Sequence, residues 1–257
     1  MSARWQPELV GDELVGLSRS LGDPAKDLVI LAEGNTSQRL DEHSIAVKAS
    51  GAYLADATRD DFVILDIDPV MAVIDDETAT QADLSALLDA GDHAGARRRG
   101  SIEALVHAAV HAIAPAEYVA HTHPTAVVSL LASVHAATAF DEWVYSDEAV
   151  VIGTPLFVPY AEPGLALGRA FAERLRLAVA EAPEPPSLIL LGNHGIVVRA
   201  GTAQAAEAIT LMAVKGARIR LQALAVGGVS GLGADTVDHY FERADMAERR
   251  RKLTGLS

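Results

Sequence analysis

Two histidines one residue apart, His121 and His123, follow the apolar run Tyr118-Val119-Ala120 and precede Pro124. Alternate side chains of a strand share a face, so the pair projects one way and offers two imidazole nitrogens to a single metal ion. A helix would space such ligands by three or four residues; the apolar lead-in and the proline instead predict a strand ending at a loop. Taken alone, the pair reads equally well as two histidines at a core edge, and the rest of the chain has to decide.

His194 is a third candidate. It lies in Gly192-Asn193-His194-Gly195, between the apolar runs Leu188–Leu191 and Ile196–Val198, where glycines let backbones approach closely. A satisfied core histidine is its alternative reading. Glu103, His107 and His111 recur at i, i+4 and i+8 and share a helix face, although helical drift keeps all three from meeting one ion. Glu103 is explained by its place in a first helical turn, His107 by an i, i+4 pair with Glu103, and His111 by its position near the helix end. Two polar stretches could meet an anion. Gly34-Asn35-Thr36-Ser37 is read as a loop between strands, and Lys48-Ala49-Ser50-Gly51 supplies a cation, a hydroxyl and a flexible glycine.

The elements that must position these residues follow from periodicity. Helices are expected over about 7–21, 79–90, 102–114, 125–133, 165–180 and 202–226, with another from Thr236 to Leu253. Strands are expected at Arg39-Leu40, Ile45–Val47, 61–67, Ala149–Ile152, Leu156–Tyr160 and Leu188–Leu191, with turns at Asp41–His43 and Gly91–His93. Ser101 is a plausible N-cap, residues 140–148 an acidic loop carrying Trp143 and Tyr145, and Pro183–Pro186 a stiff connector.

Composition narrows the function. The 257 residues, 50% of them hydrophobic, suffice for one sizeable core, and a single domain with a helical tail from about residue 230 is expected. A formal net charge of -14 disfavours nucleic acid or an anionic membrane as partner. No apolar run approaches a membrane span and no basic-then-apolar leader opens the chain, so a cytoplasmic protein is expected. The absence of cysteine leaves His, Asp and Glu as the strong metal ligands.

Gly34–Ser37, Ser101-Ile102-Glu103, His121-Thr122-His123-Pro124 and Asn193-His194-Gly195, in this order, resemble the motifs of the class II aldolase and adducin-head family from about residue 8 to 225. The resemblance implies an α/β fold, a three-layer α/β/α sandwich around a mostly antiparallel mixed sheet, and a homotetramer with active sites between subunits. It makes His121, His123 and His194 the ligands of a divalent metal, zinc first and manganese, cobalt or iron as alternatives. It makes Glu103 the catalytic carboxylate, and Gly34, Asn35, Ser50, Gly51 and Ser101 the holders of a substrate phosphate. Two departures bear on that phosphate: Ile102 replaces a hydroxyl, and Lys48-Ala49 replaces Thr-Pro, with Lys48 able to offset the loss or favour a carboxylate. The Lys-Ala-Ser-Gly and Ser-Ile-Glu wording is similar to the aldolase half of rhamnulose-phosphate aldolase/dehydrogenases, and no dehydrogenase half is expected to follow here.

The function implied is reversible aldol cleavage of a ketose phosphate or related sugar or sugar acid through a metal-stabilised enediolate, with Glu103 moving the proton. Tyr145 is a further possible proton donor whose spacing fixes no role. The same chemistry serves a 4-epimerase, a dehydratase or a decarboxylase, and a non-catalytic adducin-like interaction module is the alternative of a different class.

Overall fold

The computed structural model describes residues 3–182, 184–233 and 243–255. Its strands are β1 (Asn35–Arg39), β2 (Ser44–Lys48), β3 (Phe62–Asp66), β4 (Asp89–His93), β5 (Ala96–Arg99), β6 (Tyr118–Thr122), β7 (Leu156–Val158), β8 (Leu188–Leu191) and β9 (Gly195–Ala200). Seven of them form one sheet in the order β3-β2-β1-β6-β9-β8-β7, antiparallel at each step except β7 with β8. β4 and β5 make a separate hairpin.

Side-chain alternation along the strands feeds two cores. On one face Ala46, Ile64, Ala120, Leu190 and Ile196 pack with α1 (Asp12–Leu21), and with α5 (Thr125–Leu131), α6 (Ser146–Ile152) and α8 (Ala203–Ala225). On the other, Ile45, Val47, Val63, Val119, Ile189 and Val197 pack with α2 (Ile67–Asp75), α3 (Gln81–Leu87), α4 (Ala104–Ile113) and α7 (Leu165–Glu181). The result is the expected mixed, mostly antiparallel sheet with helices on both sides. A last helix, α9 (Ala244–Thr254), packs against α6 and α8. No helix among the described residues is long and apolar enough to cross a membrane.

Several local expectations fail for physical reasons. Ala149–Ile152 belongs to α6 and is not a strand: the run is buried on all sides, and a short fully buried stretch has no period that separates strand from helix. Gly34–Ser37 is no loop, because β1 begins at Asn35; its polar side chains are buried against partners rather than solvated. Gly91–His93 lies within β4, and the hairpin turns at Ala94 and Gly95, both at positive φ. The helix α2 was not expected, since Pro69 stands in its first turn and its apolar residues merge with those of β3. The opening helix is shorter than expected, a 3-10 turn at Pro7–Leu9 preceding α1. Of the expected segments, 236–242 and Pro183 lie outside the described residues.

Candidate metal centre

The strand β6 lies in mid-sheet, between β1 and β9, with Asn35 and Val197 opposite His121. His121 is fully buried, and its Nδ1 lies 2.8 Å from the Ile196 carbonyl oxygen. Donation of an Nδ1 proton to that carbonyl leaves the Nε2 lone pair pointing away from the sheet bond, as a ligand needs. His123 follows the end of β6, its backbone N–H donating to Leu28 O at 2.9 Å, and its Nε2 lies 2.9 Å from His121 Nε2. His194 sits in the turn from β8 to β9, where Asn193 takes a left-handed φ of 53° and donates its backbone N–H to Leu131 O. Gly195 has to be glycine for this turn to close. A Cβ there would strike Thr122 O and come within 2.7 Å of His123 Cδ2.

Glu103 arrives from the opposite direction, as the residue that opens α4. Its Oε1 lies 2.9 Å from His194 Nε2, and its Oε2 lies 3.4 Å from His121 Nε2 and accepts from Asn35 Nδ2 at 3.0 Å. One ligand atom from each of Glu103, His121, His123 and His194 falls within 4.8 Å of the others. An ion about 2.0–2.1 Å from each nitrogen requires ligand atoms roughly 3–3.5 Å apart, so the donor set fits a divalent metal. His121 is sealed, whereas the other three side chains are 10–17% exposed, so the group opens to solvent on one side.

Charge points the same way. Burial pushes Glu103 up, but the facing His121 and His194 outweigh it and hold the carboxyl well below its usual range. Burial pushes His121 down, and Glu103 outweighs that, raising it. His123 is lowered to about 3 by burial and by His121 beside it. A buried carboxylate among imidazoles favours a cation there, either a proton on His121 or a metal ion.

The other sequence-predicted residues are not all brought to this point. Asn35 and Ser101 are: Ser101 Oγ accepts from the Glu103 backbone N–H at 3.3 Å and lies 3.4 Å from Asn35 Nδ2. Gly34, at φ 66°, packs where a Cβ would lie 2.8 Å from His121 O. Lys48 is 1% exposed, and its ammonium donates to Ala32 O (3.2 Å) and Ala52 O (2.6 Å), tying together two loops. Burial lowers it to about 8 against the opposing pull of Glu103. Ser50, followed by Gly51 at φ 82°, lines a cavity of about 520 Å³ with Ser85, Asp89, Arg97 and Arg99, and none of the four candidate ligands lines it.

Sequence reasoning missed three residues of the surroundings. His107 and His111 are neither a helix-surface pair nor a helix-end cation: both are buried and meet Ser37 Oγ, at 2.7 and 2.9 Å. His107 also meets Asn35 Oδ1. The available signal was Asn35 and Ser37 at i, i+2 on one strand face, opposite a helix whose histidines share a face. Glu33 was also missed, its carboxylate 3.6 Å from His123 Nδ1.

Similar proteins share this fold or part of this sequence. The chain is 27% identical over 201 residues to the uncharacterized oxidoreductase YuxG of Bacillus subtilis (strain 168), a match covering 75% of this chain. It spans only 27% of that protein's length. An L-fuculose 1-phosphate aldolase structure aligns with a TM-score of 0.64 at 20% identity, over 93% of this chain and 94% of that one. YgbL from Klebsiella pneumoniae, for which aldolase, epimerase and decarboxylase are named as alternatives, aligns with a TM-score of 0.63 at 20% identity, over 93% and 99% of the two chains. At these identities the two structures speak for the fold. Residues 12–221 match the description Class II Aldolase and Adducin N-terminal domain, and the chain belongs to that family.

Proposed function

We propose that this protein is a metal-dependent aldolase that reversibly cleaves a ketose phosphate or a related sugar or sugar acid. The observation that carries the reading is the placement of Glu103 Oε1 against His194 Nε2 while its Oε2 faces His121 and Asn35, beside a three-imidazole group open on one side. His121, His123 and His194 would hold the ion. A divalent ion so held supplies Lewis-acid polarisation of a ketose carbonyl, a contribution of several kcal/mol to the transition state.

The chain's own groups then have defined tasks. In the cleavage direction Glu103, held as the carboxylate, takes the proton from the hydroxyl on the β carbon, the bond between the α and β carbons breaks, and its electron pair moves toward the carbonyl oxygen. The β carbon departs as an aldehyde. Glu103 returns a proton to the α carbon, and in the condensation direction removes it. Asn35 Nδ2 holds the carboxylate in place. Ser50, Gly51 and Ser101 are the proposed anchors of a phosphate, and Lys48 braces the loops behind them. A homotetramer belongs to the same reading, supported by Ile30, Leu31 and Tyr53, which are exposed on the two loops that Lys48 ties together.

Epimerase and decarboxylase stand beside aldolase among the alternatives named for YgbL. The oxidoreductase name of YuxG is a weak guide, because most of that protein lies outside the match. Product analysis tests the proposal: ketose phosphates incubated with the zinc-loaded protein should yield an aldehyde and a three-carbon ketone phosphate. Carbon dioxide or an isomeric pentose as the product would replace aldolase with decarboxylase or epimerase, and a protein that turns over none of them would favour an interaction module.

A further inference from the structure

We propose that His107 is a positioning residue, which with Ser37 and His111 locks the amide of Asn35 so that its N–H faces Glu103. The five side chains form one hydrogen-bonded chain from the inside of the sheet to the carboxylate. β1 places Asn35 and Ser37 two residues apart on one face, and α4 lays His107 and His111 over them, one turn and two turns beyond Glu103.

The direction of every bond follows from the end at Glu103. A carboxylate only accepts, so Asn35 must turn Nδ2 toward it, as the 3.0 Å contact has it. Asn35 Oδ1 then faces His107 Nε2, which must carry a proton. The lone pair is left on His107 Nδ1, so the Ser37 hydroxyl donates to it at 2.7 Å. With its proton used, Ser37 Oγ accepts from His111 Nε2–H at 2.9 Å. Both imidazoles are therefore neutral Nε2–H tautomers. Were the amide reversed, Oδ1 would face the carboxylate oxygen, two acceptors in contact, and Nδ2 would face His107 Nε2–H, two donors in contact. Asn35, Ser37, His107 and His111 are all buried to within 1% of full burial. Burial also pushes both imidazoles far below the usual histidine range, so neither becomes a second cation beside the site.

A carboxylate that moves a proton must be held at a fixed angle, and removing such an outer partner typically costs about 10–100-fold. The kinetic part of the inference rests on the aldolase reading; the bonding part does not. Two measurements test it. The first is 15N NMR of the intact, [15N]histidine-labelled chain, with His107 and His111 assigned from His107→Gln and His111→Gln. Nε2–H tautomers at both are expected, and an Nδ1–H tautomer at His107 overturns the proposal even if aldolase activity is found. The second compares His107→Gln, which keeps an N–H near the Nε2 position, with His107→Asn, which reaches only the Nδ1 position. His107→Gln should retain kcat within a few-fold, whereas His107→Asn should lose about 10–100-fold in kcat with KM little changed. Equal losses in both variants that track their melting temperatures would reduce His107 to a packing role and overturn the proposal. If the wild-type protein shows no aldol cleavage, the aldolase reading fails while the expected tautomers still support the ordered chain; if His107→Asn does not fold, the tautomers decide.

Discussion

Asn35 on β1 stands directly across the strand pairing from His121 on β6, and its Nδ2 reaches Glu103 Oε2 at 3.0 Å. One cross-strand pair thus links the deepest candidate ligand to the carboxylate on the covering helix. Asn35→Asp would set a second negative charge against Glu103 and deprive it of its donor. We expect kcat to fall by about 10–100-fold, with the pH dependence of kcat displaced upward because a nearby anion raises the Glu103 pKa. Steady-state kinetics against pH would show it.

Glu103→Gln keeps the shape and removes the proton-moving group. Retro-aldol kcat should fall by about 10²–10⁴-fold while the fold and KM change little. Stopped or steady-state assays on the purified variant give the number, and unchanged turnover would remove Glu103 from the chemistry.

Gly195→Ala should damage stability and the centre together. The added methyl meets the backbone of Thr122 and the ring of His123, neither of which is the free end of a flexible chain. Overpacking at such a point costs about 1–3 kcal/mol, measurable by denaturant unfolding.

Arg220 and Glu148, each 1% exposed, form a buried ion pair that joins α8 to α6, and Arg220 also donates to Ala139 O and Glu142 O. Glu148 in turn accepts from the Val144 backbone N–H. Arg220→Met leaves the carboxylate buried without its cation and should destabilise by about 3–5 kcal/mol, while Arg220→Met with Glu148→Leu should recover part of that loss. A double-mutant unfolding cycle checks both.

How far the sequence reaches can be judged from these same residues. The strand leading through His121 and the glycine-bounded His194 were legible, because period-two alternation and glycine punctuation are local signals, whereas the mostly antiparallel sheet was implied by the resemblance alone. Glu103 was placed at the helix start, but its carboxylate contacts with His194 and His121 are long-range, and only the resemblance suggested them. What spacing could not reveal was partnership. His107 was assigned to a pair with Glu103 along its own helix, yet it bonds Asn35 and Ser37, since the strand beneath a helix is invisible to helical periodicity. The polar stretch Asn35–Ser37 looked like a loop for the same reason: its hydrogen bonds are satisfied by residues as distant in sequence as His107 and His111. Ala149–Ile152 failed differently, as complete burial erases the periodic signal.

Acid should expose the buried histidines. Burial, with Arg39 nearby, holds His111 at about 3 in the folded chain, against an ordinary value of 6.5. Between those values the unfolded chain binds a proton that the folded one does not, so the stability contributed is complete above pH 6.5 and is lost as pH falls toward 3. The slope is at most about 1.4 kcal/mol per pH unit for one group. Denaturant unfolding between pH 7 and 4 should show it, with His111→Gln removing about one proton from the slope.

The central claim, a divalent ion held by His121, His123 and His194 beside Glu103, is tested most directly by elemental analysis of the purified chain and of His123→Ala after equilibration with zinc and removal of free metal. The wild type should retain about one ion per chain and His123→Ala should retain little. Full occupancy in His123→Ala, or a folded wild type that retains no divalent ion, would contradict it.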